Sequence, residues 1–204
     1  MAGDPTQTPT ESRFKPMTLA LAGVAVLAAG VTLLPPTYRP WNMSAIGALG
    51  LFAAARLGFW PAVGLTALAL GIKDVGVYLV HGWEPVPMSW LCFAGYAALG
   101  WVFLRRTESP VKIGAAALSA SLFFFVTSNF VSWLEQTLPY GYSLAGLLDC
   151  YRAAVPFYRG TLAGDVIFTA ALFGAHAVLS RAYFPAERVA VVSATSTDGK
   201  PEVW

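Results

Sequence analysis

Lys73, Asp74 and Asp165 stand inside long apolar runs, and these charges, with the amides and thiols at the same level, are the groups that could do chemistry. An ionisable side chain in hydrocarbon is costly, so it faces a partner or a water-filled cavity and marks a functional site. Asn42 and Ser44 open one apolar run, Trp90 and Cys92 another; Ser128, Asn129 and Ser132 close a third, and Asp165 stands near the start of the last. Asp149, Cys150 and Arg152 lie on the segment leading into that last run. Carboxylates, amides and an ammonium gathered at one level form a polar, aromatic-lined chamber able to hold a small molecule by charge and hydrogen bonds.

Residues four, seven and eleven apart share a helix face. One stripe therefore holds Asp74, Tyr78 and His81, a second Thr161, Asp165, Thr169, His176 and Ser180, and a third Ser121, Ser128 and Ser132. A second reading stands beside the chamber: the same groups are interhelical hydrogen bonds worth about 1 kcal/mol or less each. Neighbours on a helix point about 100° apart, so Lys73 and Asp74 are expected to pair elsewhere, Asp74 with Arg152 or Arg159 and Lys73 with Asp165 or Asp149.

Catalytic sets are missing, and the chain is expected not to be an enzyme and to carry no catalytic residue and no cofactor. No G-x-x-x-x-G-K-[ST] loop occurs, the only Gly-Lys pair being Gly199-Lys200, so any active transport needs an external motor. H-E-x-x-H and G-x-S-x-G are absent, and His81 and His176 fall on opposite sides of the expected membrane. Two cysteines and two histidines supply no structural zinc set. Cys92 and Cys150 share the outer level, where a disulfide or a soft metal ligand stands against the commoner reading of two buried thiols.

The elements that must hold these groups follow from composition. Of 204 residues, 56% are hydrophobic and 12% charged, against ~45–50% and ~25% for soluble domains, so the lipid bilayer is the solvent. A net charge of +2 with scattered Lys and Arg offers no basic stripe, which excludes nucleic acid as a partner. A hydrocarbon core of ~30 Å takes ~20 helical residues, and punctuation divides the apolar runs at 17–34, 41–57, 58–80, 88–104, 113–134 and 160–184. The second is short and ends at Arg56, so a re-entrant hairpin competes with a span there.

Charge placement favours six spans. Arg13, Lys15, Arg56, Arg105, Arg106, Lys112, Arg181, Arg188 and Lys200 then face the cytoplasm, and only Arg39, Arg152 and Arg159 lie outside. Trp41, Trp83, Trp90 and Trp133 fall at the outer interface, Trp60 and Trp101 at the inner one. The expected fold is an all-α membrane protein, a compact bundle of six transmembrane helices over 17–185. A short helix between spans five and six carries Asp149 and Arg152, and disordered cytoplasmic tails occupy 1–16 and 186–204. Ala25 and Ala29 in span one have the small-residue spacing of helix packing, inside the bundle or, if that face lies outside, against a partner.

Three stretches carry a resemblance: RPWNMSAIGALGLFAAA over 39–55, FFFVTSNFVSWL over 123–134 and YSLAGLLDCYRAAVPFYRGTLAGDVIFTAALFGA over 142–175. They resemble an uncharacterised family of small bacterial integral-membrane proteins, matched at Asn42, Ser44, Asp74, Asn129, Cys150, Tyr151, Pro156, Thr161, Gly164 and Asp165. Ala45 stands where that family tends to have Pro, Ala53-Ala54 where it has Gly-Gly, and Lys73 where it has a small polar residue. The family is in turn similar to the substrate-binding S components of energy-coupling-factor vitamin transporters.

What the resemblance implies is a binding subunit in the inner membrane, with both termini cytoplasmic, for uptake of a small vitamin-like or metal-chelate compound. Placement along the chain and resemblance together give Asn42, Asp74, Trp90, Asn129, Asp149, Cys150, Arg152 and Asp165 as the residues expected around an outward-facing pocket. A membrane coupling subunit with ATPases would dock on Ala25 and Ala29. A narrower version uses Cys150 or Cys92 as a soft ligand to the metal of a cobalamin-type compound. The alternative is a non-transporting scaffold or assembly protein whose polar residues hold only its own helices.

Overall fold

A helix lined with alanine and glycine forms the axis of the molecule. In the computed structural model, which describes residues 15–34, 38, 42–82 and 84–189, α2 (Ile46–Arg56) has all eleven of its residues buried. It is packed by α1 (Pro16–Ala28, continued by a 3-10 turn over Ala29–Leu33), α3 (Phe59–His81), α4 (Pro87–Phe103) and α6 (Leu144–Ala182), with α5 (Pro110–Leu134) touching its edge. A helix apolar on every side is stable only when enclosed in this way. Gly100 lets α4 close on it, since a Cβ there would meet the Leu51 backbone.

Prolines at the first positions of α1, α4 and α5 and serine caps at Ser109 and Ser143 start four of the helices. α3 ends at Gly82 in the left-handed conformation, φ 69°. Every described helix or turn fits an all-α fold, and four helices, Pro16–Leu33, Phe59–His81, Pro110–Leu134 and Leu144–Ala182, are long and apolar enough to cross a membrane.

Two elements differ from the sequence expectation. The segment expected to span at 41–57 is helical only over Ile46–Arg56, roughly 17 Å at ~1.5 Å per residue, about half of a hydrocarbon core. The short helix expected between the last two spans is instead the first half of one 39-residue helix, α6, which runs through Pro156. Proline there removes one N–H bond to the carbonyl four residues back, but Gly146, Cys150, Gly160 and Gly164 are buried on both sides of it, and packing keeps the helix continuous.

Arg56 closes α2 from inside the bundle. It is 5% exposed, donating from Nη1 to Leu104 O at 3.1 Å and from Nη2 to Thr107 O at 3.0 Å. Its guanidinium lies 4.9 Å from the Phe173 ring centre. Lys15 Nζ donates to Arg56 O at 3.0 Å. The residue expected to mark the cytoplasmic surface is thus an internal cap on the end of α4.

The expected C-terminal tail begins too early. Glu187 is buried and accepts from Met17 N at 2.8 Å, Thr18 N at 2.9 Å and Thr18 Oγ1 at 2.6 Å, so it caps α1 with a carboxylate, where the helix dipole favours one. Residues 1–14 and 190–204 of the expected tails, with Arg13 and Lys200, lie outside the described residues, as do Arg39, Trp41 and Trp83.

Burial pushes the Glu187 carboxyl up, but the hydrogen bonds from the Thr18 hydroxyl and the Met17 and Thr18 amides outweigh it, leaving it below its ordinary value of 4.5. A depressed carboxyl stabilises the fold fully above its unfolded value and loses that contribution as pH falls through the folded one. Wild-type thermal stability in detergent is therefore expected to drop below about pH 4.5, and Glu187→Gln to flatten that part of the profile. Parallel profiles for the two proteins would show that the contact contributes nothing.

Candidate functional site

At the N-terminal end of α2 the helices part around a cavity of about 320 Å³. Asn42, Ser44, Ile46 and Gly47 form one wall; Lys73, Asp74 and Val77 of α3 form a second. Glu84, Pro85 and Val86 of the α3–α4 loop, with Ser89 and Phe93 of α4, form a third, and Thr32, Phe124, Thr161 and Asp165 complete it. A smaller cavity of about 120 Å³ shares Asn42, Phe124 and Thr161 with it and adds Ser128, Asn129, Phe125, Phe157 and Tyr158.

Asp165 is the deepest charge, 3% exposed. Its Oδ2 accepts from the Tyr96 hydroxyl at 2.6 Å, a charge-assisted bond. The carboxyl rests against the first turn of α2, where a Cβ on Gly47 would fall on Asp165 Oδ1 and on the Tyr96 ring. A helix N-terminus carries about half a positive charge, so glycine brings that dipole onto the carboxylate. Ser44 Oγ accepts from Ile46 N at 3.2 Å and caps the same turn.

Asp74 is held differently. Lys73 Nζ lies 2.7 Å from Oδ1, and Trp90 Nε1 donates to Oδ2 at 2.9 Å. The pairing expected with arginines or with other carboxylates is overturned: the two neighbours bind each other. The 100° offset governs Cβ directions, but a four-carbon lysine stem can curl back to its neighbour.

Of the residues expected around a ligand, the fold brings Asn42, Asp74 and Asp165 to one cavity and sets Trp90 behind Asp74. Asn129 lines the smaller cavity, its Nδ2 donating to Phe125 O at 2.7 Å. Asn42 adopts φ 59°, left-handed backbone that asparagine tolerates better than most side chains. Asp149 and Arg152 do not reach either cavity. They pair with each other at 3.0 Å one turn apart on the exposed face of α6, which continues without a break into the last apolar run.

Cys150 is also outside both cavities, buried and donating from Sγ to Asn129 O at 3.4 Å, and Cys92 is buried; both are free thiols. Among the described residues no group of three His, Cys, Asp or Glu is placed to hold a metal ion. Thr169, His176 and Ser180 are buried along one side of α6, His176 with its ring 5.8 Å from that of Phe52, deeper than the cavity. In the Asp74 stripe, Tyr78 is exposed. Ala25 and Ala29, offered as a docking face, are 2% and 0% exposed and sit in the core, so that face packs against the chain's own helices.

Tyr96, Glu84, Ser89 and Phe93 were not anticipated. Ser89, Phe93 and Tyr96 lie four and then three residues apart, one face of α4, and that spacing was the available signal. Glu84 sits in a loop and offered none.

Fold and cavity define the class: among the described residues an all-helical chain, four of whose helices could cross a membrane, with a partly open cavity, mostly apolar but bearing several charged and hydroxyl side chains, at the end of a short central helix. A family of unknown function (DUF6580) matches residues 12–190, and the chain belongs to that family. Comparison with curated proteins and with solved structures gave no match. The expected membership of an uncharacterised family is met; the likeness to energy-coupling-factor S components has no counterpart among these findings.

Proposed function

We propose that the protein is a membrane-embedded binding subunit that takes up a small molecule through this cavity, in the manner of an S component. The observation that carries the reading is the cavity itself: ionisable and hydroxyl side chains from six of the described segments converge on about 320 Å³ inside an otherwise apolar molecule. That volume is at the lower end of the ~300–1,000 Å³ of small-molecule sites. A vitamin-sized compound suits it, whereas a cobalt chelate held by sulfur does not, since neither thiol lines the space.

Orientation follows from α4, which begins at Pro87 beside the cavity and ends at Phe103, just before Arg105 and Arg106. With those arginines and Lys112 on the cytoplasmic side, the cavity opens outward. α1, α3, α5 and α6 then cross the bilayer and α4 nearly does. α2 reaches halfway as an enclosed half-helix whose N-terminus faces the ligand, an arrangement that membrane carriers use at binding sites. A coupling subunit with ATPases would supply the energy, docking on a face other than that of Ala25 and Ala29.

The scaffold alternative draws on the Trp90–Asp74 and Tyr96–Asp165 hydrogen bonds between helices; it leaves Asp165 without a cationic partner among the described residues. Native mass spectrometry of the detergent-purified protein is expected to release a small molecule on unfolding and to find less of it in Asp165→Ala. A preparation that retains nothing, and is stabilised by no small-molecule fraction of the host cell, would favour the scaffold.

A further inference from the structure

Among the described residues the cavity carries an unbalanced charge: its ionisable walls are one ammonium, Lys73, and three carboxylates, Asp74, Glu84 and Asp165. Lys73 is taken up by Asp74, whose other oxygen is taken up by Trp90, so that triad is satisfied without a ligand. Glu84 and Asp165 have no cationic partner among the described residues. Tyr96 occupies one Asp165 oxygen, and the α2 N-terminus supplies about half a charge. Asp165 is buried without a full counter-charge, which is unfavourable, and Glu84, exposed on the cavity wall, adds a second negative charge, so the two repel an anion entering the same space. Phe93 and Phe124, both on the cavity wall with ring centres 5.3 Å apart, present faces that attract a cation within ~6 Å.

We propose that the cavity takes a small organic cation, a protonated amine on a compact apolar body, with Asp165 and Glu84 as its counter-charges and Phe93 and Phe124 against its body. The proposal rests on reading the cavity as a ligand site and adds the sign of the ligand. Lys73, held by Asp74, then acts as a fixed wall and not as an anion receptor.

Three probes of one shape and different charge test it: phenethylammonium, phenethyl alcohol and hydrocinnamate, titrated calorimetrically into the full chain in detergent. The cation is expected to bind about tenfold or more tighter than the other two. Glu84→Gln and Asp165→Asn are each expected to weaken the cation about tenfold and to leave the alcohol unchanged. Asp165→Asn disturbs the Tyr96 bond and could unfold the protein; Glu84, exposed in a loop, keeps the test independent of folding.

Tighter binding of hydrocinnamate, equal binding of all three, or a cation affinity indifferent to Glu84→Gln overturns the charge assignment and leaves the cavity a ligand site. If none of the probes binds, the molecule released in native mass spectrometry decides: a cation supports the proposal, and a neutral or anionic compound overturns it. No molecule at all, together with no stabilisation by any small-molecule fraction of the host cell, overturns both the proposal and the carrier reading beneath it.

Discussion

Gly47→Ala is expected to destabilise the protein by roughly 2–4 kcal/mol, although alanine is the better helix former by ~1 kcal/mol. Propensity and packing point in opposite directions here, and magnitudes decide between them. A methyl at Gly47 would occupy the place of Asp165 Oδ1 and the Tyr96 ring. Neither can retreat easily: Asp165 is enclosed, and the Tyr96 ring packs 5.4 Å from Phe93 and 6.4 Å from Phe124, centre to centre. Overpacking costs about 1–3 kcal/mol, and loss of the Tyr96–Asp165 bond, one partner charged, adds about 1.5–3 kcal/mol. Together they exceed the propensity gain. The thermal midpoint in detergent should fall and the retained small molecule should be lost with it. A midpoint that rises would mean that α2 does not approach α4 and α6 as described.

Arg56→Ala is expected to cost on the order of 3–5 kcal/mol, read as a lower thermal midpoint and faster proteolysis at the α4–α5 loop. Each guanidinium bond to a carbonyl is worth about 1.5–3 kcal/mol, and two are lost, at Leu104 O and Thr107 O, together with the contact over Phe173. Against this stands relief from burying a cation. Arg56→Met, which fills the same volume without the charge, should therefore recover part of the loss, and Arg56→Lys should recover little, because one ammonium does not reproduce the two-pronged fork. Lysine behaving like wild type would reduce Arg56 to a bulk charge at the membrane edge.

That residue also shows what could be read from the sequence. Apolar composition and span-length runs made an all-helical chain legible, and the scarcity of in-membrane charge pointed to Asp74 and Asp165 and, with the helix-opening amide, to Asn42. Arg56 was misplaced because topology rules treat arginine as a boundary marker, whereas its two donors find carbonyls freed by the end of α4. The short helix expected before a last run over 160–184 is part of one helix; proline and glycine within it cost a few kcal/mol by local propensity, which burial on both sides of Pro156 outweighs. Tyr96 was overlooked as one more aromatic in an apolar run, although its hydroxyl needed a partner. Asp149 and Arg152 have the chemistry of a site, but the unbroken helix α6 sets them on an exposed face away from the cavities.

The clasp between Glu187 and the start of α1 joins residues 170 positions apart, and this sets an order on biogenesis. The start of α1 is made with its leading amides unsatisfied, and the carboxylate that accepts from them follows roughly ten to thirty seconds later at ~5–20 residues per second. Until Glu187 has been made, the amides and hydroxyl at the start of α1 lack the carboxylate that accepts from them, so a chain cut short before that residue loses the clasp.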